Sequence, residues 1–147
     1  MSKLDQIIDE FAELDPRERL ELLAEFADNL PPLPPRYQAE KDRGDHRVHE
    51  CQTPVFLWVE LIDGRVQVYA DVAPEAPTVK GFVNILVEAF NGTTVDEALT
   101  VPTDLLQRLG LAQVLGMMRL PGLQAVLNHI RRLTVAAASN AARPAKQ

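Results

Sequence analysis

Cys51 is the only thiol of the chain, and it stands in VHECQTPVFLWV (48–59) between His49-Glu50 and a run that reads as a buried strand. His46, His49 and Cys51 offer imidazole and thiolate, the usual zinc ligands. The H-x2-H-x-C spacing is tight, no second cysteine exists, and His129 lies on a distant helix, so a four-ligand zinc site is not expected. A Cys–His hydrolase, with His49 or His46 as base and Cys51 as nucleophile, is a second chemistry. Residues two apart on extended backbone point to the same side, which lets His49 serve as base toward Cys51. The chain shows neither a nucleophile elbow nor a Gly-rich loop. Thioredoxin-type chemistry lacks its C-x-x-C and its resolving thiol. A lone cysteine is otherwise a free thiol in a reducing compartment, an inert core residue, or half of a transient intermolecular bond. Placed just before Pro54, where a polar loop joins the strand, Cys51 suits a carrier whose thiolate attacks a sulfur donor and whose product is then shielded.

The elements that must position this residue are legible in the spacing. Leu4, Ile7, Ile8, Phe11 and Leu14 recur with helical period after Ser2, which predicts a helix over 3–14. In DPRERLELLAEFADNL, Asp15 caps, Pro16 takes the first helical position, Glu18 completes a capping box, and Leu20, Leu23, Ala27 and Leu30 form the inward stripe. PPLPP (31–35) ends that helix, and the charged stretch 36–47 reads as an exposed loop. VFLWVEL and RVQVYAD flank Asp63-Gly64, a two-residue hairpin signal. Closing the turn there sets Ile62 opposite Arg65, Val59 opposite Val68 and Trp58 opposite Tyr69. Val55, Leu57, Val59, Leu61, Val66, Val68 and Ala70 then share one apolar face. Val48 can add a short third strand.

TVKGFVNILVEAF aligns Val79, Phe82, Val83, Leu86, Val87 and Phe90 on one helical face, and Asn91-Gly92 stops it. Thr94 caps a short helix, DLLQRLGL forms another, and a long helix starts near Pro121 with Leu123, Val126, Leu127, Ile130 and Leu133 inward. The expected class is α+β: two N-terminal helices, a small antiparallel β-meander, and C-terminal helices packed on one face of the sheet. One domain is expected over 1–138, with a flexible tail over 139–147.

Composition narrows the function classes. The net charge of −6 comes entirely from residues 1–30, which hold nine acids against Lys3, Arg17 and Arg19. No basic stripe is present, which argues against nucleic-acid binding. The acidic start is read as two solvated helix faces, with a docking surface as the alternative. No apolar run reaches a membrane span, and MSKLDQIIDE has acids where a secretory signal is apolar, so a cytoplasmic, non-membrane protein is expected.

ECQTPVFLWV resembles the C-Q-S-x-V-W signature of the SufE-like sulfur acceptors, the partners of cysteine desulfurases in iron–sulfur cluster assembly. The resemblance extends through Leu30-Pro31, Asp71, Val79-Lys80-Gly81, Asn91-Gly92, Leu109-Gly110-Leu111 and Arg119-x-x-Gly122-Leu123, in that order. It implies a SufE/NifU-like fold and a role for Cys51 as the persulfide carrier. The sulfane sulfur would come from a SufS-like cysteine desulfurase, which the carrier stimulates, and go to an iron–sulfur scaffold complex. No cofactor is implied for this chain, since pyridoxal phosphate belongs to the desulfurase, and a monomer or weak homodimer is implied. His49, Gln52, Asp71, Lys80, Gly81 and Arg119 would support the site or its docking face. Each of three has an ordinary structural use as well: Asp71 as a strand-end acid, Lys80 as a solvated first-turn residue, Arg119 as a helix-start charge. Gly81 suits close backbone packing, expected against the Cys51 loop. Lys80 and the helix start would lower the thiol pKa, while Glu50 and burial would raise it. The segment 72–77, VAPEAP, departs from the family's shorter acid-serine turn, and it neighbours the expected site. A non-catalytic module that regulates a desulfurase through the acidic helices, with a structural Cys51, is the alternative to the carrier.

Overall fold

Two capping boxes open the chain. In the computed structural model, which describes residues 2–142, Ser2 Oγ accepts the Asp5 amide at 3.1 Å and Asp5 answers at the Ser2 amide, starting α1 (Lys3–Ala12). Asp15 and Glu18 repeat the exchange at 2.9 and 3.1 Å to start α2 (Pro16–Asp28). Leu4, Ile7 and Phe11 of α1, with Leu23 and Ala27 of α2, face the core. Leu20, expected inward, is 39% exposed. The position belongs to Arg19, whose guanidinium donates to the carbonyls of Phe11 and Gly110.

The stretch expected as an exposed loop instead covers the outer face of the sheet. A 3₁₀ turn (Pro35–Tyr37) leads into α3 (Gln38–Asp42). Tyr37 is buried, stacked 4.9 Å from Trp58, with its hydroxyl on Glu60. Burial and the Glu60 carboxylate push the Tyr37 phenol up to about 12. The Trp58 indole donates to Glu40 at 2.8 Å. These contacts are tertiary, and charge patterning does not announce them.

β1 (Val55–Ile62) and β2 (Arg65–Val72) pair in the register predicted, Ile62 with Arg65 through Val55 with Val72. Asp63 (φ 53°) and Gly64 (φ 78°) both take the left-handed conformation of a tight hairpin turn. The expected third strand at Val48 reduces to one bridge, Arg47 to Phe56, and a Val48 amide bond to the Val55 carbonyl at 2.8 Å. The departure at 72–77 is absorbed locally. Val72 completes β2, Ala76 is buried, and Pro77 starts the next helix.

That helix, α4 (Pro77–Phe90), is the centre of the molecule, buried on nearly every side between α2 and the hairpin. Thr94 and Glu97 cap α5 (Val95–Ala98), and α6 (Leu105–Arg108) and α7 (Ala112–Leu115) are single turns. α8 (Leu120–Ala142) lies against β1 beside α4. The expected tail begins inside α8, which continues to Ala142 on alanines, the best helix formers. Residues 143–147 lie outside the described residues. Two helices thus pack on the inner face of a two-stranded sheet.

Candidate functional site

Cys51 sits in a short turn held at both ends. Before it, Val48 is fixed to Val55; after it, the Pro54 carbonyl accepts the Ala73 amide at 3.2 Å. Between these anchors the only backbone bond donated by the turn is the Cys51 amide to the Val48 carbonyl at 3.3 Å. The thiol is 5% exposed and faces a cavity of about 180 Å³ between this turn and the starts of α4 and α8. Val79, Pro121 and Leu123 supply apolar wall, while Gln52, Thr53 and Arg119 stand at the mouth.

Gly122 lets α8 approach. A Cβ at that position would lie 3.2 Å from Cys51 Cα and 3.5 Å from its Sγ. Arg119, one turn earlier, is exposed and donates to Thr78 Oγ1 at 2.8 Å, bridging the starts of α8 and α4 across the cavity.

Burial pushes the Cys51 thiol up, against a hydrogen bond from the Thr53 backbone and the positive charges of Arg119 and Arg47. The opposing cations are therefore these two arginines, where sequence reasoning named Lys80. At rest the group is a neutral, shielded thiol. Its nucleophilic form requires either an added cation or movement toward water.

The other expected site residues scatter. Gln52 and Arg119 meet Cys51 at the cavity. Lys80 is half-buried on the first turn of α4, next to the cavity-lining Val79. Asp71 points to the outer face of the sheet and pairs with Lys41 at 2.8 Å, because alternate residues of β2 face opposite ways. Gly81 packs against α2: a Cβ there would run into the Leu23 carbonyl, so its small size serves the α2–α4 contact and not the Cys51 loop. His49 is exposed and does not line the cavity. His46 lies 5.2 Å from the Trp58 ring on the outer face, with Nε2 3.7 Å from Glu40. No histidine therefore lines the thiol's cavity to act as hydrolase base. Among the described residues no three His, Cys, Asp or Glu side chains gather to hold a metal ion.

The family model for SufE, described as an Fe-S metabolism associated domain, matches residues 5–134. The chain belongs to the SufE family. An uncharacterized SufE-like protein of Mycobacterium tuberculosis is 38% identical over 130 residues, spanning 88% of this chain and 89% of that one. An uncharacterized SufE-like protein of Rhizobium meliloti is 31% identical over 137 residues, 89% of this chain and 94% of that one. The solution structure of a hypothetical protein from Thermus thermophilus superposes with a TM-score of 0.80 at 35% identity, covering 95% of this chain and 99% of that one. The SufE resemblance drawn from the ordered motifs is thus borne out, as is the α+β architecture.

Within this SufE domain, sequence reasoning missed Val79, Pro121, Gly122 and Leu123 as cavity residues, and Arg47 as a charge acting on the thiol. A signal was present. Pro121-Gly122 at the start of a long apolar helix is a site of close approach, since glycine in the first turn costs helix stability unless packing requires it.

Proposed function

We propose that this protein is the sulfur acceptor of a cysteine desulfurase in iron–sulfur metabolism, with Cys51 as the carrier residue. The observation that carries the reading is a lone, shielded thiol on a sparsely tied turn at a cavity mouth, in a chain of the SufE family. The Cys51 thiolate attacks the outer sulfur of the desulfurase's cysteine persulfide. A new S–S bond forms at Cys51, the donor's S–S bond breaks, and the donor cysteine leaves as thiolate. The Cys51 proton passes to that thiolate or to water, and no net oxidation occurs. Pyridoxal phosphate serves the partner's chemistry, and this chain contributes no cofactor.

The cavity of about 180 Å³ has room for the added sulfur against Val79 and Leu123, where stray thiols do not reach it. Delivery to a cluster scaffold is the reverse kind of exchange. Stimulation of the desulfurase follows, since removing the persulfide frees its thiol for another turnover. We place this work in the cytoplasm, in keeping with a reduced single thiol. No helix among the described residues is long and apolar enough to cross a membrane.

Incubation with a desulfurase and cysteine, followed by intact mass measurement, tests the reading. Wild type gains one sulfur atom, and Cys51→Ser gains none. Equal addition to both proteins, or none to either, ends it. The burial of Cys51 also fits an interaction module with a structural thiol; that reading predicts that Cys51→Ser stimulates the desulfurase as well as wild type does.

A further inference from the structure

The turn between α7 and α8 carries two residues that neither the fold nor the sulfur exchange uses. The Arg119 amide closes it on the Gly116 carbonyl at 3.3 Å, with Gly116 at φ 77°, so Met117 and Met118 occupy its tip. They are the only methionines after Met1. Met117 is 84% exposed and Met118 92%, whereas no other large apolar residue among the described ones exceeds 49%. Single exposed apolar residues are common on protein surfaces. An adjacent pair of thioethers held in water at a turn tip gains nothing from burial.

Their place connects the pair to Cys51. Met118 lines the cavity of about 180 Å³ that the thiol faces, and Arg119, Pro121 and Gly122 continue the same wall. The two kinds of sulfur answer a peroxide differently. A cysteine reacts through its thiolate, and Cys51 is 5% exposed with its proton held on by burial. A thioether has no proton to lose before it reacts, and these two stand open to solvent. The molecule thus presents its methionines to an oxidant before its thiol.

We propose that Met117 and Met118 are a modification site: hydrogen peroxide converts them to sulfoxides ahead of Cys51, and the Met118 sulfoxide at the cavity mouth slows sulfur transfer to the thiol. In each step a thioether lone pair attacks one peroxide oxygen. The S–O bond forms and the O–O bond breaks, and the proton of the transferred oxygen passes to the departing one, which leaves as water. The sulfur loses two electrons and the peroxide gains them. A polar acceptor then stands where a soft apolar side chain had been. A donor persulfide entering the mouth must strip water from that group instead of packing against it, which costs an unpaired polar contact. The effect on transfer rests on the carrier reading of Cys51, whereas the order of oxidation does not. Sulfoxides are returned to thioethers by reductases, so the block is reversible, while full oxidation of a cysteine is not.

The full chain, treated with graded hydrogen peroxide at neutral and mildly acidic pH and then freed of it with catalase, is mapped by peptide mass spectrometry and given a desulfurase and cysteine. One oxygen atom is expected on Met117 and one on Met118 while Cys51 still reacts as a free thiol. Sulfur uptake by that protein should fall at least about threefold against the untreated protein. Each variant is compared with its own untreated form. Met118→Leu, which cannot carry a sulfoxide at the mouth, should lose less than about 1.5-fold, and Met117→Leu should lose as much as wild type. Oxidation of Cys51 together with or before the methionines, unchanged uptake after Met118 is oxidised, or an equal loss in Met118→Leu overturns the proposal. Untreated wild type that takes up no sulfur would end the carrier reading and the slowing argued from it, and the oxidation map then decides the modification site.

Discussion

Cys51 is kept neutral by burial, and two independent consequences follow. Its folded-state pKa stands above the ordinary thiol value, so its contribution to stability is present in full below about pH 8.5 and is lost as pH rises through the raised value. Urea denaturation across that range should show wild type losing stability relative to Cys51→Ala; parallel curves would mean the thiol is not shielded. The second consequence concerns Gly122. Adding a methyl there places carbon 3.5 Å from Sγ, an ordinary contact, but 3.2 Å from Cys51 Cα, so the neighbour must give by a few tenths of an ångström. The turn is the looser partner, so Gly122→Ala should press Cys51 outward. Alkylation by iodoacetamide at neutral pH is expected to accelerate by about tenfold, the equivalent of about 1.4 kcal/mol. The helix itself gains from the change, alanine being about 1 kcal/mol the better helix former, so unchanged or slower alkylation would not be attributable to a damaged α8 and would sink the idea.

At the scale of elements, the same substitution has a different meaning on α4. Gly81→Ala would drive a methyl into the Leu23 backbone carbonyl, and neither helix can yield without losing the contact that carries α2. Overpacking of about 1–3 kcal/mol outweighs the propensity gain of about 1 kcal/mol, so a net loss of up to about 2 kcal/mol is expected by urea denaturation. A neutral result would show that the α2–α4 spacing is adjustable. The two glycines also mark what the chain discloses about itself. Local rules reached far: Asp63-Gly64 set the hairpin register residue by residue, and Ser2, Asp15 and Thr94 marked three helix starts, each of which the structure closes with a capping box. Contacts between elements were less legible. Which backbone Gly81 approaches, why Arg19 rather than Leu20 turns inward, and how Tyr37 organises 35–42 over Trp58 all depend on surfaces distant in sequence. The thiol itself was found because it is alone; the residues that line its cavity were not, because Val79, Gly122 and Leu123 look like ordinary core or punctuation until α4 and α8 are set side by side.

For the molecule as a whole, the frame and the Cys51 turn differ in how firmly they are held. The hairpin is pinned inside by α4 and α8 and outside by Tyr37, Glu40 and Lys41, so the anchors at Val48 and Pro54 do not move independently. Between them, residues 49–53 include exposed His49, Glu50 and Gln52, and only the Cys51 side chain is buried. Bringing that one small side chain out of its cavity costs about 1–2 kcal/mol in lost apolar burial, far less than opening any packed helix. A partner that contacts the extended turn supplies that difference through binding, which makes docking and thiol exposure one coupled event. Alkylation of Cys51 in the isolated protein should therefore run at least about tenfold slower than in urea. In the presence of a desulfurase whose own catalytic thiol has been removed, so that no sulfur transfer competes, the rate should rise severalfold and saturate with desulfurase concentration. Saturation reports a bound state with the turn displaced. A rate that stays the same at every desulfurase concentration would mean that Cys51 is presented without rearrangement or not presented at all, and the coupling argued from the two anchors would fall.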